Sequence, residues 1–198
     1  MTIVAAPSVS VFFHEAVEDA MKNRGVTATE GATTYLVSLL SDFAKPGALA
    51  EQTLDRPLVF LLDEALNTME LGERFERLRT LGDGVLYSSG FFGDHFEKRG
   101  VDQSYLIGIG QRAYGNASSM LRISKSEETK FDIYGELAEK FATFVSIVTE
   151  VAHLTIAQGV ASSREVLKLY ERWVKTRSET LASALTTHGF DTRGKGFS

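Results

Sequence analysis

Cysteine is absent from the 198 residues. That removes disulfides, thiolate nucleophiles and thiolate-based metal centres, and it fits a reducing compartment. Proline is scarce: Pro7, Pro46 and Pro57 are the only three, so nothing after residue 57 forbids long helices. No stretch of about 18 uninterrupted apolar residues occurs, so no membrane-spanning helix is expected. The most apolar segment, Phe141 to Ala157, contains Ser146, Glu150 and His153 and reads as a buried helix. Met1 to Pro7 has neither the basic nor the long apolar segment of a secretory leader, so a cytosolic protein is expected. Positive charge is also short, with 21 Lys and Arg against 26 Asp and Glu for a net −5. Nucleic-acid partners normally meet a basic stripe. The densest basic stretch, Lys168 to Arg177, is instead interleaved with Glu171 and apolar residues.

What is present is an ordinary globular balance, 43% apolar and 24% charged, with apolar residues recurring at helical rather than strand spacing. Seven helices are predicted. The first runs from about Ser10 to Asn23 and stops at Gly25; the second opens at a capping box, Thr27-x-x-Glu30, and ends before Pro46. Pro57 opens the third, which runs to Met69. Leu71 to Arg99 reads as one long helix that glycines 82, 84, 90 and 93 allow to bend, and Gly100 ends it. Asp102 to about Ile123 forms the fifth. The sixth and longest is capped by Ser126 and runs to Gln158; it is apolar nearly all round and is therefore placed at the centre of the fold. A second capping box, Ser162-x-x-Glu165, opens the last helix, to Thr187. The expectation is an all-α bundle of about seven helices around a central buried helix. It is read as a single domain over 1–198, with flexible tails at 1–9 and 191–198 and a weak joint near Gly100.

Three constellations carry polar chemistry. Thr143, Ser146, Glu150 and His153 form one stripe, and Glu150-x-x-His153 sets a carboxylate and an imidazole one turn apart, the spacing of carboxylate-bridged metal centres in bundles. A full site needs a second such pair and further carboxylates; His14, Glu15 and Glu18 are the available substitutes, and the plainer reading is an internally hydrogen-bonded pair. Between Tyr105 and Gly115, two interior glycines each cost about 1 kcal/mol relative to alanine and so require a reason. Leu106, Gly110, Ala113 and Ala117 make a small-residue stripe for close helix approach. Tyr105, Gly108 and Arg112 make a neighbouring one, either a pocket for an anionic group or an ion pair of Arg112 with Asp83 or Glu150. Around Leu81 to His95, Asp83, Tyr87 and Gly90 share a face, while Ser88 and Ser89 lack the strand–turn–helix setting of a nucleophile elbow. His188 reads as a charge-favourable helix end.

His14 on an early helix of a compact helical chain resembles the haem oxygenases, in which such a histidine binds haem iron and a distal-helix glycine stretch covers the haem; the glycines here, Leu81-Gly-Asp-Gly84, lie earlier in the chain. Leu86 to Phe92, Asp102 to Tyr114 and Leu167 to Thr176 together resemble an uncharacterised family of bacterial all-helical proteins, over roughly the C-terminal half. That resemblance implies a bacterial cytosolic protein and brings no activity or cofactor. It directs attention to Tyr87, Ser89, Tyr105, Arg112 and Tyr114 as ligand-contacting positions.

Two functions are expected. The first is a non-enzymatic interaction or regulatory protein that docks a protein partner or a second copy through Tyr170, Trp173 and Val174, since aromatic residues dominate binding hot spots. The alternative is a small-molecule or metal-binding bundle, an enzyme of haem-oxygenase-like or carboxylate–metal type, with a cavity lined by Glu150, His153, Tyr87, Tyr105 and Arg112. No cofactor is specified by either.

Overall fold

A computed structural model of the chain describes residues 8–45, 56–124, 132–159, 163–190 and 192. The protein is all-α: among the described residues there are ten helices and no strand. They are α1 (Val9–Arg24), α2 (Glu30–Phe43), α3 (Leu58–Asn67), α4 (Leu71–Phe91), α5 (Gly93–Lys98), α6 (Gln103–Ser124), α7 (Ile133–Glu139), α8 (Phe141–Gln158), α9 (Ser163–Thr176) and α10 (Glu179–Thr187).

Ten replaces seven because three predicted helices are each broken once. The first break is at Phe92, beside Gly93, in the glycine-containing stretch where a bend was expected. The second is at Lys140, φ −98° and ψ 20°, where the Lys140 ammonium is tied to the Thr27 carbonyl at 3.0 Å and to Glu136 at 2.9 Å. The third is at Arg177, whose left-handed φ of 54° ends α9 before Ser178 caps α10 through the Leu181 amide. Neither Lys140 nor Arg177 is a breaker by composition. The expected caps Ser126 and Ser162 and most of both tails lie outside the described residues, although Ser8 is visible as the cap of α1.

The chain divides into two compact units, residues 1–149 and 150–198. Gly100 is a helix stop: its φ of 74° lets its own amide reach the Glu97 carbonyl and the Val101 amide reach that of Phe96.

In the first unit α4 lies along α6, with α7 on α6 and α2 on α1, α4 and α7. Close approach explains the interior glycines. A Cβ on Gly82 would stand 2.6 Å from the Tyr114 ring, one on Gly90 would overlap Val148, and one on Gly110 would overlap the Phe141 ring. The predicted stripe Leu106, Gly110, Ala113 and Ala117 is buried throughout. The cap of α2 is Thr29, not Thr27: its hydroxyl accepts from the Ala32 amide at 3.2 Å. The carboxylate that completes this cap comes from α7, where Glu136 accepts from the Thr29 amide at 3.1 Å and from its hydroxyl at 2.5 Å.

By length and composition α8 could cross a bilayer, but half of that window is buried within the protein, as in a core helix. Phe141, Phe144, Val145, Ile147 and Val148 are all buried. In the second unit Leu169, Leu181 and Leu185 form a core against Ile156, Val166 and Trp173.

Candidate functional site

The most concentrated polar chemistry of the first unit surrounds Asp83, in the middle of α4 and 8% exposed. One carboxylate oxygen accepts from the Tyr35 phenol on α2 and the Tyr114 phenol on α6, both at 2.7 Å. The other accepts from Arg79, one turn earlier, at 3.0 Å. Arg79 also donates to Glu76 at 2.7 Å. Burial pushes the Asp83 carboxyl above the usual aspartate range even against those donors. Burial, then the neighbouring carboxylate, pushes both phenols upward as well. Tyr134 closes the cluster, its ring 5.5 Å from Tyr35 and 5.9 Å from Tyr114. The arrangement ties three helices to one buried charge. Arg112, for which Asp83 was one of two carboxylate partners considered, is exposed, and the pairing with Asp83 is made by Arg79 at i−4.

Tyr114 is thus an internal donor, its hydroxyl turned to Asp83. Tyr87 is half-buried and sandwiched between Phe43 at 4.6 Å and Phe91 at 4.5 Å. Ser89 is buried, and its hydroxyl and that of Ser88 have no hydrogen-bond partner among the described residues. Tyr105 is 40% exposed, its oxygen accepting from the Val59 amide at 3.2 Å. Nothing stands within 4 Å of where a Gly108 side chain would begin. Tyr105 and Arg112 therefore flank an open surface. A groove of about 640 Å³ lies elsewhere in this unit, lined by Glu30, Gly31, Thr34, Tyr35, Ser38 and Ile133. His14 is exposed beside Glu18, 3.6 Å away, while Gly82 packs on Tyr114.

In the second unit Glu150 and His153 are both buried and stand 3.9 Å apart. Glu150 accepts from the Ser178 hydroxyl at 3.0 Å and from the Thr180 hydroxyl, so the carboxylate receives the first turn of α10. Among the described residues no three His, Asp or Glu side chains come together as a metal site would require.

The predicted partner-binding residues lie on α9. Leu167, Tyr170 and Val174, at i, i+3 and i+7, are 56%, 38% and 43% exposed. The other half of the apolar arc, Val166, Leu169 and Trp173, faces the core of this unit. Trp173 is half-buried between the two, its ring 5.7 Å from that of Tyr170, with the Arg177 guanidinium over it at 4.8 Å from the ring centre. Phe190 extends the row, 6.0 Å from Tyr170. It is placed there by the turn that ends α10: Gly189, at φ 85°, donates to the Thr186 carbonyl, and Phe190 donates to that of Leu185. That is the Schellman pattern, which turns the following apolar residue back onto its neighbours.

Sequence reasoning missed Tyr35, Arg79, Phe190 and Glu136. The i, i+4 spacing of Arg79 and Asp83 and the Gly189-Phe190 pair after a helix were the signals for two of them; the other two arrive from distant helices. Comparison with protein-family models, with curated proteins and with solved structures returned no match.

Proposed function

We propose that this chain is a non-enzymatic helical interaction protein of the bacterial cytosol, acting through the outer face of α9. One observation carries the reading. The apolar arc of α9 is about twice as wide as its packing needs: Leu169 and its neighbours face the core, and Leu167, Tyr170 and Val174 make a second row beside them, widened by Phe190. Exposed large apolar residues gathered in one patch mark interaction surfaces more often than isolated ones do. The absence of cysteine and the net −5 charge fit a reducing interior and argue against a nucleic-acid partner.

Photo-cross-linking in cells tests this. A benzophenone side chain at position 170 is expected to yield covalent adducts, while the same group at Glu18, exposed on α1, yields none above background. Equal adduct yields at the two positions would remove the reading.

The groove at Tyr35 supports a second reading, a small-molecule binder, because the phenol that lines it also donates to Asp83. Native mass spectrometry of protein purified without a chelator is expected, on that reading, to show a mass excess that Tyr35→Phe reduces. A clean mass equal to the chain contradicts it.

A further inference from the structure

Resting on the reading of the Tyr35 groove as a small-molecule site, we infer that the ligand it takes is an organic cation, a protonated amine carried on an apolar body. The groove lies between α2 and the start of α7 and holds about 640 Å³, within the range of small-molecule sites. Tyr35, Gly31 and Ile133 make its floor and are half-buried; Glu30, Thr34 and Ser38 make its rim and are exposed. Gly31 lets the floor close, since a Cβ there would stand 3.2 Å from the Ile133 side chain. The rim residues recur at i, i+4 and i+8, which sets them in one row about 6 Å apart along the helix.

The charge of the lining selects the ligand. Among the described residues the Glu30 carboxylate has neither an ion-pair nor a hydrogen-bond partner. Glu136, not Glu30, supplies the carboxylate that completes the Thr29 cap of α2. The hydroxyls of α2 divide in the same way. Thr33 and Ser41 return theirs to the carbonyls four residues back, at 3.0 and 2.7 Å. Thr34 and Ser38, on the rim, do not, and among the described residues their oxygens are unpartnered beside Glu30. No lysine or arginine lines the groove, and Arg79, behind Tyr35, is already paired with Asp83 at 3.0 Å and Glu76 at 2.7 Å. An anion here would meet Glu30 uncompensated, and a neutral ligand would leave it unpaired. An ammonium pairs with it through charge-assisted hydrogen bonds, with Thr34 as a further acceptor, while the apolar body lies over Tyr35 and Ile133. The phenol ring adds attraction for a cation on its face.

Three probes of nearly one shape and different charge read this directly: 3-phenylpropylamine, 3-phenylpropanol and 3-phenylpropanoate, each titrated against the full chain by NMR. The expected result is that the amine binds about tenfold tighter than the alcohol and that the carboxylate does not bind. Glu30→Gln brings the amine to the affinity of the alcohol and leaves the alcohol unchanged. Thr34→Val lowers amine binding by about three- to fivefold, and Glu18→Gln, exposed on α1, changes nothing. All three substitutions are on the surface, and an unchanged circular dichroism spectrum confirms that each variant is folded. An amine that does not bind, that binds no tighter than the alcohol, or whose advantage Glu30→Gln leaves intact overturns the inference. If the alcohol binds and the amine gains nothing over it, the cation assignment falls and the small-molecule reading stands. If none of the three binds and the purified chain shows a clean mass, both fall.

Discussion

At Asp83 two phenols and a guanidinium converge on one buried carboxylate, so each donor offsets part of the charge's desolvation. Tyr114 is fully buried, so removing its hydroxyl leaves the Asp83 carboxylate short of one donor. Tyr114→Phe is therefore expected to lower stability by about 1.5–3 kcal/mol, the range for a lost hydrogen bond to a charged group. Tyr35→Phe loses less, because Tyr35 is only part-buried and lines the groove, where solvent compensates. Urea denaturation of the two variants checks the order. Ser89 behaves oppositely. Its hydroxyl is buried without a hydrogen-bond partner among the described residues, so Ser89→Ala is expected to be neutral or to stabilise by up to about 1 kcal/mol. A loss above about 1 kcal/mol would show that the hydroxyl has a partner after all. Of this centre the sequence reveals Asp83 and the i, i+4 position of Arg79; the phenols converge from α2 and α6, and spacing along one segment carries no trace of that.

Among the elements, the start of α2 is held by a glutamate more than a hundred residues away, since Glu136 receives both the amide and the hydroxyl of Thr29. Burial alone would raise the Glu136 carboxyl, but the Thr29 hydroxyl and then Lys140 bring it below its ordinary 4.5. A depressed carboxylate contributes stability in full above its unfolded value and loses it as pH falls through the folded one. The clamp is thus fully stabilising at neutral pH and is lost progressively as pH falls below the ordinary 4.5 and through the lower folded value. Glu136→Ala is expected to cost about 1–2 kcal/mol at pH 7 and little in acid, and to be non-additive with Thr29→Ala at pH 7. Denaturation at both pH values decides it. Close helix packing makes a harder prediction: Gly110→Ala sets a methyl into the Phe141 ring and is expected to cost at least about 1–3 kcal/mol, whereas Gly108→Ala, with open space around it, gains helix propensity. Only Ile109 separates the two glycines, and the small-residue stripe identifies which one is packed. Helix ends at Gly25 and Gly100 are equally legible. The breaks at Lys140 and Arg177 are not, because each is made by tertiary tethering or by a cap just beyond it in residues that read as helix formers.

For the molecule as a whole, the two units differ in charge. Residues 150–198 hold seven Lys and Arg against five Asp and Glu, so the acidic excess of the chain resides in residues 1–149. The second unit combines a small leucine core, a carboxylate on the hydroxyls of α10, and an aromatic row on its outside. Its apolar stretches all read as helix from sequence, but the division of α9 into a packed half and an exposed half depends on where Leu181 and Leu185 return, which the pattern along α9 does not contain. Carbene footprinting, on the purified chain and in its own cells, tests the docking face most directly. Leu167, Tyr170, Val174 and Phe190 are expected to label strongly in the purified protein and to be protected in cells, while His14 and Glu18 on α1 label alike in both. Equal labelling of the α9 row in the two samples would show that nothing docks there and would contradict the account.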